Sequence, residues 1–121
     1  DPAVNIPNIG SVENNVHAGA KYLAHLRDRY FSSDEIAPQE RMAFVWAAYN
    51  AGPGRVAQMR QLADKMGLNP NRWWGNVEVA AGRLVGRETV KYVADIRKYQ
   101  IAYRLLDQHE RQRALRADSD G

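Results

Sequence analysis

A tyrosine and an asparagine, Tyr49 and Asn50, stand side by side where an apolar run meets a cluster of two glycines and a proline. The stretch Phe44 to Val56 reads F-V-W-A-A-Y-N-A-G-P-G-R-V. Its first half is apolar and small, as suits a helix packed on most sides. Gly52-Pro53-Gly54 fits no helix interior at low cost. One helix is therefore expected to stop near Asn50 and the next to begin at Pro53, where a missing N–H costs nothing in the first turn. A phenol and an amide at such a helix end can together hydrogen-bond a carboxylate, a sugar hydroxyl or an acetamido group. The same pair can equally cap and pack a helix–turn–helix corner and do nothing more.

The elements that must hold this corner are helical throughout. Asp1 to Gly10 is broken by prolines and asparagines and is expected as an extended lead-in. Ser11 is expected as an N-cap. After it Val12, Val16, Ala20, Leu23, Leu26 and Tyr30 recur at helical spacing and predict an amphipathic helix ending near Tyr30. Ser32 to Ala37 reads as a loop, and Pro38 suits the first turn of a helix whose buried side is Met42, Val45, Trp46, Ala48 and Tyr49. Val56, Met59, Leu62, Ala63 and Met66 predict a third helix that Gly67 closes. Leu68 to Gly75 reads as a turn with two tryptophans beside an arginine, and Asn71 could cap a short helix from Arg72 to Leu84, with Gly82 and Gly86 bracketing a tight turn. Trp73 and Trp74 point ~100° apart if helical, so packing is favoured over one shared aromatic platform. Glu88 to about Leu115 is the longest periodic segment, with Val90, Val93, Ile96, Tyr99, Tyr103 and Leu106 facing inward. The polar tail from residue 107 onward is expected to fray. The expectation is an all-α chain of about five helices in a single domain, residues 1–121, with no alternating strand pattern.

Composition narrows the function classes. The chain has 121 residues, 45% hydrophobic and 26% charged, which suits one globular core. It has no cysteine, so disulfides and thiolate metal sites are excluded. His17 has no second histidine or carboxylate at i+4, His25 and His109 lie in charged surroundings and read as exposed, and no metal is expected. No apolar run approaches the ~20 residues of a membrane span, so any membrane association is expected to come from parts outside this chain. No signal-peptide pattern opens it, and Asp1-Pro2 is expected to follow a processed or recombinant boundary. The formal charge of +3 tolerates anionic partners without demanding them. Arg104, Arg111, Arg113 and Arg116 read as a solvated helix end. No basic-aromatic repeat or base-reading motif supports nucleic acid as a partner, despite Arg72–Trp74.

Three stretches, in order, carry a family resemblance. A-A-Y-N-A-G-P-G-R-V at Ala47–Val56 resembles the Ala-Tyr-Asn motif of the lytic transglycosylases, peptidoglycan-cleaving enzymes with a goose-type-lysozyme-like fold. E-N-N-V-H-A-G-A-K-Y-L at Glu13–Leu23 is similar to the family's N-I-x-A-G-x-x-Y-L helix, and Glu88–Val93 resembles its Glu-Thr-x-x-Tyr-Val helix start. W-W-G-N-V-E and I-R-K-Y-Q-I resemble a membrane-bound branch that carries an N-terminal solute-binding-like domain. The resemblance runs from Asn5 to Leu105 and implies the C-terminal part of a lysozyme-like α-helical lobe.

It also implies a chemistry. Members cut the MurNAc–GlcNAc β-1,4 bond with one glutamic acid where most glycosidases use a carboxylate pair. The muramic sugar's own acetamido group or 6-hydroxyl acts as nucleophile and leaves a 1,6-anhydro end, with no cofactor. Carried over, Tyr49 would orient the catalytic carboxylate and Asn50 would bind saccharide acetamido or hydroxyl groups. Glu88 and Tyr92 would line the cleft, and Ala48 and Gly52 would let the backbone approach. The partner implied is peptidoglycan, in the periplasm or cell envelope of a bacterium; oligomeric state is left open. The sequence departs from the family at one point. It holds neither the Glu-Ser pair that contains the acid nor the Gly-Leu-Met-Gln stretch that follows it. The acid is thus expected upstream, and this segment alone is expected to be inactive. A non-catalytic helical glycan-binding or interaction module on the same scaffold is the alternative.

Overall fold

A computed structural model describes residues 9–120, with side chains from residue 19 to residue 118. The expected lead-in falls mostly outside that range, as do the side chains of Ser11, Val12, Val16 and His17. Among the described residues there is no strand. Five α-helices follow one another: α1 (Ile9–Tyr30), α2 (Pro38–Ala51), α3 (Pro53–Lys65), α4 (Glu78–Val85) and α5 (Arg87–Asp120). The fold is all-α, as expected for the C-terminal part of a lysozyme-like lobe. Ser11 is not the N-cap, because α1 already begins at Ile9.

The other helices are arranged on α2. Its residues Ala43 to Ala48 are buried in unbroken succession. Burial on every side requires neighbours on every side, and α1, α3 and α5 all pack against it. Phe44 sits at the centre, with the Phe31 ring stacked 5.6 Å away and the Trp73 ring edge-on at 5.9 Å. Both geometries suit the ring quadrupoles. The Arg41 guanidinium donates to the Ile36 carbonyl at 2.9 Å and pins the loop that leads into α2.

Tyr49 was expected on the buried side of α2 but is 47% exposed, whereas Ala51 beyond it is half-buried against the core. On α1, Leu26 is buried and Leu23 half-buried, whereas Ala20 and Tyr30 are exposed. Among the described residues that helix packs mainly on α2, so its covered stripe is narrow. On α3, Val56, Met59 and Ala63 are buried as expected, and Gly67 leaves the helix at φ +79°.

The tryptophan segment departs most from expectation. Trp74 (φ −66°, ψ 118°) and Gly75 (φ 72°, ψ 1°) form the two central residues of a type II turn, which needs glycine at the second position. The short helix therefore starts at Glu78, not Arg72. Asn71 does not cap it; its Oδ1 accepts a hydrogen bond from Arg60 at 2.8 Å, while Arg60 Nε donates to the Pro70 carbonyl at 2.9 Å. Glu78 Oε1 accepts the Gly75 N–H at 3.1 Å and ties the turn to the start of α4, which has no side-chain cap. Gly82 lies inside α4, so Gly86 alone, at φ +83°, makes the break before α5.

The last helix has 34 residues and runs to Asp120, beyond the expected end near Leu115. Val93 is buried and Val90 and Ile96 are half-buried, but Tyr99, Tyr103 and Leu106 are 66%, 72% and 55% exposed. At ~1.5 Å per residue, α5 is simply longer than the bundle it packs on. Periodicity identified its face correctly and overstated the length of that face that is covered.

Candidate functional site

Tyr49 and Asn50 occupy the last turn of α2 because Gly52 stops the helix. Gly52 has φ +95°, where an L side chain is strained, and its N–H closes the final turn on the Ala48 carbonyl at 2.8 Å. A Cβ on Gly52 would meet nothing within 4 Å, so backbone conformation and not space selects glycine there. Pro53 then opens α3, and the chain turns away. The helix end is left clear of covering backbone.

Asn50 is fixed by a residue from the far end of the sequence. Thr89 Oγ1 donates to Asn50 Oδ1 at 2.7 Å, and Thr89 is only 3% exposed. With Oδ1 engaged, the Asn50 amide presents its two N–H donors outward. Asn50 lines a cavity of about 300 Å³ together with Arg55, Leu84, Glu88 and Thr89. Glu88 lies exposed in the first turn of α5, where a carboxylate is favoured by the helix dipole. One wall thus offers amide donors and a guanidinium, the other a carboxylate. That set can hydrogen-bond the acceptors and hydroxyls of a sugar from two sides.

The phenols gather on the other flank of the same helix end. The Tyr49 ring lies 5.9 Å from Tyr22 of α1. Tyr92, one turn along α5 from Glu88, packs half-buried against the core. Burial pushes the Tyr92 phenol up from its ordinary value, and the neighbouring Tyr49 adds to the shift. The Tyr49 hydroxyl makes no hydrogen bond among the described residues and is free to meet a further group.

The structure therefore brings Tyr49, Asn50, Glu88 and Tyr92 to one end of the α2–α5 pair, in two groups. Asn50 and Glu88 share the cavity; Tyr49 and Tyr92 stand beside it. Ala48 is 1% exposed and belongs to the core, reaching this region only through its carbonyl. Sequence reasoning missed Thr89, Arg55 and Tyr22. Each lies inside one of the three shared stretches, but nothing in residue spacing alone says that Thr89 meets Asn50. None of the described glutamates hydrogen-bonds Tyr49.

The model of the transglycosylase SLT domain matches residues 5–70, which includes Tyr49, Asn50 and Gly52 and ends before Glu88. Membrane-bound lytic murein transglycosylase F of Pseudomonas fluorescens is 34% identical over 80% of this chain and 22% of its own length. The proteins of that name from Shewanella woodyi and Desulfosudis oleivorans are 37% and 36% identical, over 78% and 72% of this chain. The chain spans about a fifth of the length of these relatives, 22% in each case. The match over residues 5–70 and the identity to these relatives show that this chain belongs to the transglycosylase SLT domain family.

Proposed function

We propose that this chain is the glycan-binding C-terminal part of a lytic transglycosylase, acting on the MurNAc–GlcNAc β-1,4 bond of peptidoglycan and leaving 1,6-anhydro-MurNAc ends. The observation that carries this reading is the Thr89–Asn50 hydrogen bond of 2.7 Å, which fixes Asn50 on the wall of a cavity it shares with Glu88. In this reading Asn50 holds an acetamido or hydroxyl group of the sugar, and Glu88 accepts from a hydroxyl on the facing wall. Tyr49 donates its free hydroxyl to the catalytic carboxylate and fixes its rotation. The acid itself comes from the part of the relatives' length that this chain does not span. Holding that acid against the glycosidic oxygen is worth roughly 10²–10⁴-fold in rate.

The relatives are named membrane-bound, and the reading places this protein in the bacterial cell envelope, facing the periplasm. No described helix is long and apolar enough to cross a membrane. Attachment would rest on other parts of the protein.

A second reading, a non-catalytic glycan-binding or interaction module, is favoured by one observation: Tyr49 has no carboxylate partner among the described residues. Asn50→Ala in the intact protein separates the two. The enzyme reading expects glycan turnover and glycan affinity both to fall about tenfold or more, the loss from misplacing one polar contact. A protein that binds glycan through Asn50 but never cleaves it belongs to the module reading.

A further inference from the structure

A second cavity, of about 450 Å³, opens between the first turns of α2 and the middle of α5. Its volume lies within the ~300–1,000 Å³ of small-ligand sites. The two helices run antiparallel, since the end of α2 meets the start of α5 at Asn50 and Thr89. From Glu88 to Gln100 α5 rises ~18 Å, so this cavity is separate from the Asn50–Glu88 site. Trp46 and Trp74 line its floor, and Arg97, Gln100 and Arg104 form the α5 wall.

Glu40 is on the opposite wall. It is 7% exposed and its carboxylate has no hydrogen bond or ion pair among the described residues. Its oxygens are not sealed from solvent, so the carboxylate opens into the cavity. Arg97 and Arg104 are likewise unpaired among the described residues, so the cavity holds one negative wall and one positive wall that do not touch. The indoles do not offer a sugar platform. Trp46 is 7% exposed, and the face of Trp74 is taken by the Arg97 guanidinium at 4.3 Å.

We infer that this groove binds a short zwitterionic peptide, its carboxylate held by Arg97 and Arg104, its free amine by Glu40, and an apolar side chain against Trp46. A bidentate guanidinium–carboxylate contact at one end and an ammonium–carboxylate contact at the other fix the direction of the peptide. That the peptide is the stem of peptidoglycan rests on the proposed function; in a strand whose sugars lie in the Asn50–Glu88 cavity the stem's amino terminus is acylated by the muramic lactyl group, so the amine at Glu40 is the side-chain amine of its diamino acid.

Calorimetric titration of the intact protein with a synthetic peptidoglycan stem tetrapeptide tests this, with chitotetraose as the peptide-free control. The tetrapeptide is expected to bind, and its Kd to rise about tenfold or more in Glu40→Gln and in Arg104→Gln, as for a lost charged hydrogen bond. Full N-acetylation of the tetrapeptide is expected to cost wild type as much as Glu40→Gln does, while chitotetraose affinity stays unchanged in both variants. Absence of tetrapeptide binding, or one affinity across all three proteins, overturns the inference. Arg104 is exposed, so Arg104→Gln keeps the test decisive if Glu40→Gln melts early. Cleavage of sacculi by the same preparation separates the two ideas. Cleavage without tetrapeptide binding sinks this inference alone, and charge-dependent binding without cleavage sinks the proposed function alone.

Discussion

Thr89→Val isolates the hydrogen bond that joins α2 to α5 at the site. Valine keeps the shape of a residue that is 3% exposed and removes only the hydroxyl that donates to Asn50 at 2.7 Å. A typical hydrogen bond contributes ~0.5–1.5 kcal/mol net. Asn50 is itself exposed, so its Oδ1 regains water and no acceptor is left buried and unpaired. The buried methyl is favourable where the hydroxyl was, and the expected loss stays near ~1 kcal/mol, a Tm shift of about 4 °C for a domain of this size. Function is expected to respond much more. Freed from Thr89, the amide can flip and present its oxygen to the cavity, and misplacing a positioning group can cost on the order of 10²-fold. Turnover of purified sacculi by the intact protein should therefore fall at least about tenfold, against a small thermal shift. Thr89→Ser, which restores the hydroxyl, should recover most of that loss. If turnover and Tm fall in proportion, or if serine rescues nothing, the clamp is packing and the argument for Asn50 fails.

Tyr49→Phe in the intact protein is expected to lower turnover at least about tenfold while Tm moves only a few degrees, because the phenol is 47% exposed and makes no internal hydrogen bond; kinetics beside thermal melts check this. Gly52→Ala should destabilise by ~1 kcal/mol or more from φ +95° strain alone, with nothing for the new methyl to strike, as denaturant titration would show. Burial raises the Tyr92 phenol above its ordinary value of about 10, so its neutral form is favoured on folding. Its contribution is complete below pH 10 and is lost as pH rises through the folded value. Melting curves above pH 10 should thus fall more steeply for wild type than for Tyr92→Phe.

Much of this fold can be read before any coordinates. Gly52-Pro53-Gly54 has one low-cost arrangement, and α2 and α3 end and begin where it requires. The core stripe of α3 follows from spacing, since a helix packed on one side has one repeating face. What spacing could not convey is extent and competition. Nothing local distinguishes Val93, which is buried, from Tyr103, which is 72% exposed on the same stripe, because only the ends of neighbouring helices decide it. Asn71 is a good cap by type, yet Arg60 takes its oxygen first. The turn expected over Leu68–Gly75 is present, with Gly75 at φ +72°, and the helix start expected at Arg72 gives way to it. At the site, motif resemblance located Tyr49, Asn50, Glu88 and Tyr92. The Thr89 contact crosses 39 positions of sequence and comes only from the packing of α5 on α2. Buried Glu40 is similarly invisible, since a glutamate in a first helical turn reads as a solvated dipole partner.

The decisive experiment is digestion of purified sacculi by the intact protein, with the released muropeptides resolved by mass. Intramolecular attack by the muramic 6-hydroxyl predicts 1,6-anhydro ends, lighter than hydrolysed ends by one water, and their loss in Asn50→Ala and Tyr49→Phe. Hydrolysed reducing ends, or no released muropeptide at all, would contradict the proposed reaction.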